Sequence, residues 1–412
     1  MYVAPSGGNI PPYSHWASAA TNIMDLLPYL GSGTEVIVTN GVYPMRSAAH
    51  ISYGIRLHSV NGPAAAILDG GGNVDHCLMI DHSNAVVDGF TIRGASGGSG
   101  VILFDGLLQN CVIVSNSGST GAGAYLYRGR LRNCLVTRNN SSSVGGGIYA
   151  AGAQIENCTI VSNQAVDFGG GLFLDSQEGT SEVRNCIVAL NSAEMDGSDL
   201  FANDLETVAL DHCCIPTLAE PGSMTQDPQF VAPLSGNYRL MASSPCIDAG
   251  HNLGYPSLDV DRVGRPLVGW ATGVVALIDI GAYEYVLLGS SKDSDGDGLS
   301  DTNELYGLHT NPADSDSDHD GSNDGSEAYA GTDPLQAASV FALLGATKGA
   351  ATGSLVLQWS SVTGKTYALN ARTNLFLPFS NHVSHLMAHP PVNAYTVTVG
   401  SVPTRFYEIQ AE

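Results

Sequence analysis

The sequence predicts an all-β chain built on a parallel β-helix, and two observations predict it. One phrase recurs four times: Asn110-Cys111-Val-Ile-Val-Ser-Asn116, Asn133-Cys134-Leu-Val-Thr-Arg-Asn139, Asn157-Cys158-Thr-Ile-Val-Ser-Asn163 and Asn185-Cys186-Ile-Val-Ala-Leu-Asn191, with a degenerate fifth copy at His212-Cys213-Cys214-Ile215. Its cysteines lie 23, 24, 28 and 27 residues apart, and such a period marks a solenoid. The repeats also lack helical periodicity. Short β-branched runs separated by Gly, Asn and Ser are strands joined by turns.

Stacked parallel units place each residue roughly 4.8 Å above its counterpart. With Cys158 and Ile160 inward, the ladders Cys111/134/158/186/213 and Ile113/Val136/Ile160/Val188/Ile215 are wholly apolar, as a stacked core requires. The Asn116/139/163/191 ladder fits a turn in which amides bond along the stack and tolerate left-handed backbone. In-register cysteines point the same way, so the eight thiols are expected to be free and buried.

Before the repeats, Ser14 ahead of Trp16-Ala-Ser-Ala-Ala-Thr-Asn-Ile-Met-Asp-Leu-Leu27 reads as the N-cap of a helix covering the open end of the solenoid. Glu35 to Tyr43 is the first strand and turn, and irregular coils run from Ile55 to Ile92 before regular ones begin near Val101.

The charge of −23 is unevenly distributed. Residues 1–290 hold 25 acids against 11 arginines, residues 291–338 hold 12 acids against Lys292 alone, and the remainder is slightly basic. Three domains are expected: 1–290, the β-helix with its cap and closing segment; 291–338, an acidic module; and 339–412, a small C-terminal β-sandwich. The last rests on the alternating runs Leu355–Trp359, Lys365–Leu369, Ala394–Val399 and Arg405–Ile409. The acidity argues against nucleic acid and anionic membrane surfaces as partners. No apolar run is long enough for membrane insertion, and a monomer is expected. Met1 runs straight into Tyr-Val-Ala-Pro without a leader, so any export signal is expected to have been cut away or never present.

Within the acidic block Asp293-x-Asp295-x-Asp297-Gly-Leu-Ser-Asp301-x-x-Glu304 recurs 23 residues on as Asp316-x-Asp318-x-Asp320-Gly-Ser-Asn-Asp324-x-x-Glu327. Alternating carboxylates, a Gly for the tight turn and a Glu at position 12 are what calcium needs for roughly 6 to 8 oxygen ligands. Calcium is the expected cofactor, in a structural role. The block resembles thrombospondin type 3 repeats and dockerin-like loops.

The order Ser244-Pro-Cys-Ile-Asp-Ala-Gly250, Leu258-Asp-Val-Asp-Arg-Val-Gly-Arg-Pro266 and Ile278-Asp-Ile-Gly-Ala-Tyr-Glu284 resembles bacterial right-handed parallel β-helix proteins of the pectate-lyase-like, choice-of-anchor Q type. The Gly-Gly-Gly and Asn-Cys repeats also resemble polymorphic outer-membrane proteins. The former resemblance covers roughly residues 1–285 and implies export, hence an extracellular or cell-surface location.

An active site is harder to read. Carboxylate pairs carry glycan hydrolysis, whereas elimination from a uronate needs a basic residue, and the coils contain no Lys. The signatures of polygalacturonases are missing. Arg128, Arg130, Arg132 and Arg138, with Asp167 and Asp175 nearby, read either as clamps for an acidic sugar or as solvated turn charges. Tyr125, Tyr149 and Phe173 are expected outward in a three-rung stack, as a glycan platform or as plain strand formers. Gly94-Ala-Ser96-Gly-Gly98 lacks the helix a nucleophile elbow needs. His50, His58, His76 and His82 are scattered, and His382, His385 and His389 have helical ligand spacing between strands and prolines. The expected function is binding of a polysaccharide or cell-surface glycan. The alternative is a polysaccharide lyase, ahead of a glycoside hydrolase.

Overall fold

The computed structural model describes residues 1–252, 257–266, 277–286, 293, 295–304, 308, 310–312, 314–374, 378–399 and 405–411. The chain forms two compact units, Met1–Gly289 and Ser290–Glu412. The acidic module and the C-terminal sheets share the second, and the expected boundary at 290 and 291 lies outside the described residues.

The first unit is a parallel β-helix with three sheet faces. Its first sheet stacks nine strands from Tyr2–Val3 to Val208–Asp211, and the second stacks seven from Ala49–Ile51 to Leu200–Ala202. The third contains Val112–Val114, Leu135–Thr137, Thr159–Val161 and Ile187–Ala189, and divides at the long strand Thr91–Gly97 into a second branch of short strands. The coils read as irregular are already in register, with Arg56 beside Val86 and Ile67 beside Thr91. Even Tyr2–Val3, too short to read in the sequence, pairs with Ile37–Val38.

The inward ladders hold. Cys111, Cys134, Cys158, Cys186 and Cys213 lie in one core with Ile113, Val136, Ile160, Val188 and Ile215. All eight cysteines are free thiols and buried. Glycines make the tight stacking possible at one edge: a Cβ on Gly123 or Gly147 would lie 2.4 or 2.5 Å from the carbonyl of the next rung.

Two amide ladders hold the turns, and they run in opposite senses. Asn116 Nδ2 donates to Asn139 Oδ1, Asn139 to Asn163 and Asn163 to Asn191, each at 3.0 Å, and Asn191 donates to Asp199 at 3.1 Å. On the other corner Asn185 donates to Asn157, Asn157 to Asn133, Asn133 to Asn110, and Asn110 to Asp88. Each ladder thus ends on a carboxylate, which accepts without needing to donate. The left-handed backbone expected at Asn116/139/163/191 sits elsewhere. It is taken by the second ladder, Asn110, Asn133, Asn157 and Asn185, and by Ser115, Arg138, Ser162 and Leu190 just before the first. The first ladder spends its side chains on backbone groups instead; Asn139 Oδ1 accepts from the Asn116 N–H, and Asn139 Nδ2 donates to the Ile113 carbonyl.

The N-terminal cap is shorter than one continuous helix. His15 caps a 3-10 turn over Trp16–Ser18, and Asn22 caps a single α-turn over Ile23–Leu26. Between them Ala19 is extended and Ala20 bridges to Val3, so the backbone is taken by strand pairing. Ile23 and Leu26 still close the core.

The closing segment covers the outer face of the third sheet. Leu135, Val161, Ile187 and Ala189, alternating with the inward residues, pack against Phe230, Tyr238, Leu240, Ile247, Ile280 and Tyr285. The second unit ends in two three-stranded antiparallel sheets, one centred on Ser354–Ser360 and the other on Thr366–Arg372. Trp359, Tyr367, Leu357 and Leu369 are buried there. His382 and His385 lie on the extended strand Ser380–Met387, so their helical spacing is not realised.

Replacing Asn139 by Ala would leave the Asn116 N–H without an acceptor and take a donor from the Ile113 carbonyl in a dry turn, while the Asn116 amide keeps the Ile92 and Val114 carbonyls. Since each unsatisfied buried group costs about 1–3 kcal/mol, Asn139→Ala is expected to destabilise the first unit by roughly 3 kcal/mol, read as a lowered urea midpoint.

Candidate functional site

The acidic repeats fold into two similar loops whose carboxylates divide their labour. Some oxygens shape the loop: Asp293 accepts from the Gly296 and Gly298 N–H groups through its two oxygens, Asp295 from Asp297, and Asp297 from Leu299. In the second loop Asp316 accepts from Gly321, Asp318 from Asp320, and Asp320 from Ser322. Other oxygens are left over. Asp295 Oδ2, Asp316 Oδ1, Asp318 Oδ2, Asp320 Oδ2 and both carboxylate oxygens of Glu304 and Glu327 are buried without a hydrogen-bond partner.

These oxygens converge. Asp293, Asp295 and Asp297 bring ligand atoms within 4.8 Å of one another, as do Asp316, Asp318 and Asp320. A third group joins the repeats: Asp297 and Glu304 of the first meet Asp324 of the second. Asp297 Oδ2 also accepts from the Gly325 N–H at 2.8 Å, and Asp324 is held by the Ser317 N–H and hydroxyl. Asp301 is buried at the start of the helical turn that carries Glu304, and Glu327 lies on the helix Asp324–Ala330. The sequence repeat made the two loops legible, but their meeting at Asp324 depends on how one folds against the other.

Burial and then the neighbouring Asp295, Asp297, Asp301 and Asp324 push the Glu304 carboxyl up to about 8. Burial likewise raises Glu327 to about 7 and Asp324 to about 6. A cluster of buried carboxylates with no donor or cation to meet them is costly. The donor set, all hard oxygen, fits a calcium-class ion.

A second candidate lies on the outer face of the second sheet. Tyr125, Tyr149 and Phe173 align across three rungs. Their rings stack at 4.8 and 5.5 Å, both pairs within 9° of parallel, and Phe201 extends the stack. The ring faces are therefore turned toward one another along the helix axis, and Phe173 is buried. Edges and hydroxyls are what Tyr125 and Tyr149 offer outward. The Tyr149 hydroxyl donates to Asp175.

Beside this row Arg128 lies over the Tyr127 ring and pairs with Glu178 at 2.6 Å. Hydrogen bonds from Tyr127 and Arg128 hold the Glu178 carboxyl below its ordinary range, the wrong direction for a general acid. Arg132 pairs with Glu156 at 3.0 Å. Arg130 is half-buried with no ion pair among the described residues, and Asp167 accepts from the Ser143 hydroxyl.

The closing motifs are structural. Arg265, fully buried, pairs with Glu284 at 3.1 Å and donates to the carbonyls of Gly281 and Asp279. Asp259 and Asp279 accept backbone N–H groups within the same segment. Of the early histidines, His76 bonds the Ser99 backbone and His58 pairs with Glu35.

Two family models match the chain. Residues 65–216 match the right handed beta helix region, and residues 293–315 and 316–337 each match the bacterial TSP3 repeat. The first unit thus has a right-handed parallel β-helix fold, and the acidic module is similar to two bacterial TSP3 repeats. No curated protein sequence matches it. Among solved structures it is similar to pectate lyase Pel9A, with 13% identity over 69% of this chain and 96% of that one and a TM-score of 0.33. It is also similar to a pectin methylesterase from Aspergillus niger, with 14% identity over 55% of this chain and 80% of that one and a TM-score of 0.24. No helix among the described residues is long and apolar enough to cross a membrane.

The crowding of carboxylates makes a prediction about the metal-free protein. Glu304→Gln removes a carboxyl that the folded protein at neutral pH can bury only by taking up a proton or by holding a charge against four neighbouring carboxylates. In chelator it is expected to raise the melting temperature of the second unit by a few degrees, read by calorimetry.

Proposed function

We propose that the chain is an extracellular or cell-surface protein that binds a polysaccharide on its β-helix and carries structural calcium in its acidic module. The observation that carries the calcium reading is the set of buried carboxylate oxygens without partners, on Asp295, Glu304, Asp316, Asp318, Asp320 and Glu327. With Asp293, Asp297, Asp301 and Asp324 they would hold the ion. Calcium supplies charge neutralisation there, which lets the two loops close on the shared Asp297, Glu304 and Asp324 group.

For the glycan reading, the support is a row of outward polar groups repeating at the rung step of roughly 4.8 Å, near the residue repeat of an extended pyranose chain. Tyr125 and Tyr149 present hydroxyls and ring edges, flanked by Asp175, Arg128 and Glu178. Because Arg128 and Arg132 are already neutralised by Glu178 and Glu156, the row suits a neutral, hydroxyl-rich chain better than a polyuronate. Binding is favoured over cleavage, since the coils lack Lys and Glu178 is held ionised.

Two measurements test this. Saturating calcium is expected to raise the unfolding midpoint of the second unit; ion at 100 times its dissociation constant is worth about 2.7 kcal/mol. An unchanged midpoint sinks the calcium reading. A glycan screen with calcium present, reading both retention and ultraviolet absorbance of unsaturated product, tests the β-helix. Retention without product is expected, weakened about tenfold by Tyr149→Phe, roughly the worth of one hydrogen bond. Product formation would instead favour the lyase, with Arg130 as its base.

A further inference from the structure

In the degenerate fifth copy of the repeat, the chain has His212 where Asn110, Asn133, Asn157 and Asn185 stand. Its backbone keeps the ladder conformation, with φ of 51°. The side chain does not join the ladder. His212 Nδ1 lies 2.6 Å from Asp211 Oδ1, and His251 Nδ1 lies 3.1 Å from the other carboxylate oxygen, Asp211 Oδ2. The two imidazole rings are tilted 52° to each other with centroids 5.4 Å apart, and the ligating atoms of all three residues fall within 4.8 Å.

Asp211 and His251 are anchored through their backbones. Asp211 ends a strand in register with Arg184, and its carbonyl accepts from the Asn185 N–H. His251, on the loop after Gly250, donates its N–H to Asn185 Oδ1 at 2.8 Å and accepts from Asn185 Nδ2 at 2.9 Å. The last true rung of the Asn ladder thus positions the loop that brings His251 to His212. The side chains remain 36 to 57% exposed, so an ion has access. Burial pushes the Asp211 carboxyl up, but the hydrogen bonds and charge interactions with the two imidazoles together hold the group below its ordinary range.

We propose that Asp211, His212 and His251 form a binding site for a divalent transition ion of the zinc class, independent of the acidic repeats. Two imidazoles and one carboxylate are a donor set such ions prefer, whereas calcium takes six or more hard oxygens. The ion would take the place of the two hydrogen bonds between Asp211 and the imidazoles. Three protein ligands leave a fourth position open to water or to a group from a bound partner.

Zinc titrated calorimetrically into the full chain at saturating calcium tests the site. One tight equivalent is expected. His212→Asn installs the residue that four other rungs carry at this position, so the fold is retained; circular dichroism checks that. This variant and His251→Ala are each expected to weaken zinc binding by more than the roughly 100-fold that marks the upper range for outer-sphere partners, with the calcium response unchanged. Cobalt in place of zinc should give a visible spectrum that both variants lose. No zinc uptake by the wild type in excess calcium, or uptake that both variants leave intact, would overturn the proposal.

Discussion

Parallel, in-register stacking is the constraint on which the first unit depends. Every residue sits beside its counterpart one rung away, so a position is acceptable only if its side chain is compatible with a near-copy of itself at about 4.8 Å. Apolar side chains meet this by packing, as the cysteine and isoleucine ladders do. Amides meet it because each can donate to one neighbour and accept from the other. Such a chain of donors must end on an acceptor, and Asp88 and Asp199 terminate the two ladders in opposite directions.

The same constraint explains the surface. Aromatic rings at one ladder position turn their faces to each other, which stabilises the stack and takes those faces away from any ligand. Charged residues at ladder positions alternate in sign where they touch, Arg132 beside Glu156 and Glu156 beside Arg184. The acidic module faces the reverse problem. Its loop geometry brings like charges together, and the sequence places no lysine or arginine between Asp293 and Glu327. That is why its buried oxygens point to a cation, while most arginines of the β-helix are paired with carboxylates.

The closing segment shows how a conspicuous motif can be architectural. The buried Arg265 and Glu284 pair, with Asp259 and Asp279 on backbone donors, is a polar network sealed under Tyr238, Tyr283 and Tyr285. It covers the apolar outer face of the third sheet, which would otherwise be exposed beside Cys214 and Val161. Buried charges of this kind need every partner in place, so the motif residues are constrained together by their contacts with one another.

The repeat period and face alternation determined the parallel stack, the inward cysteines and the aromatic row, because ladder chemistry is written at fixed intervals in the chain. The doubled Asp and Glu spacing likewise determined both acidic loops. The sequence did not reveal the early coils as regular, since their pairing rests on backbone register that Ile55–Ile92 satisfies without a repeated phrase. Nor did it show the left-handed turns at Asn110, Asn133, Asn157 and Asn185, or the break of the cap helix at Ala20, where strand pairing outcompetes helical propensity. Only the tertiary structure turned the aromatic faces inward along the stack, joined Asp297 and Glu304 to Asp324, and carried His251 across 39 residues of chain to Asp211 and His212. Those are contacts between segments that are distant in sequence, and no local spacing encodes them.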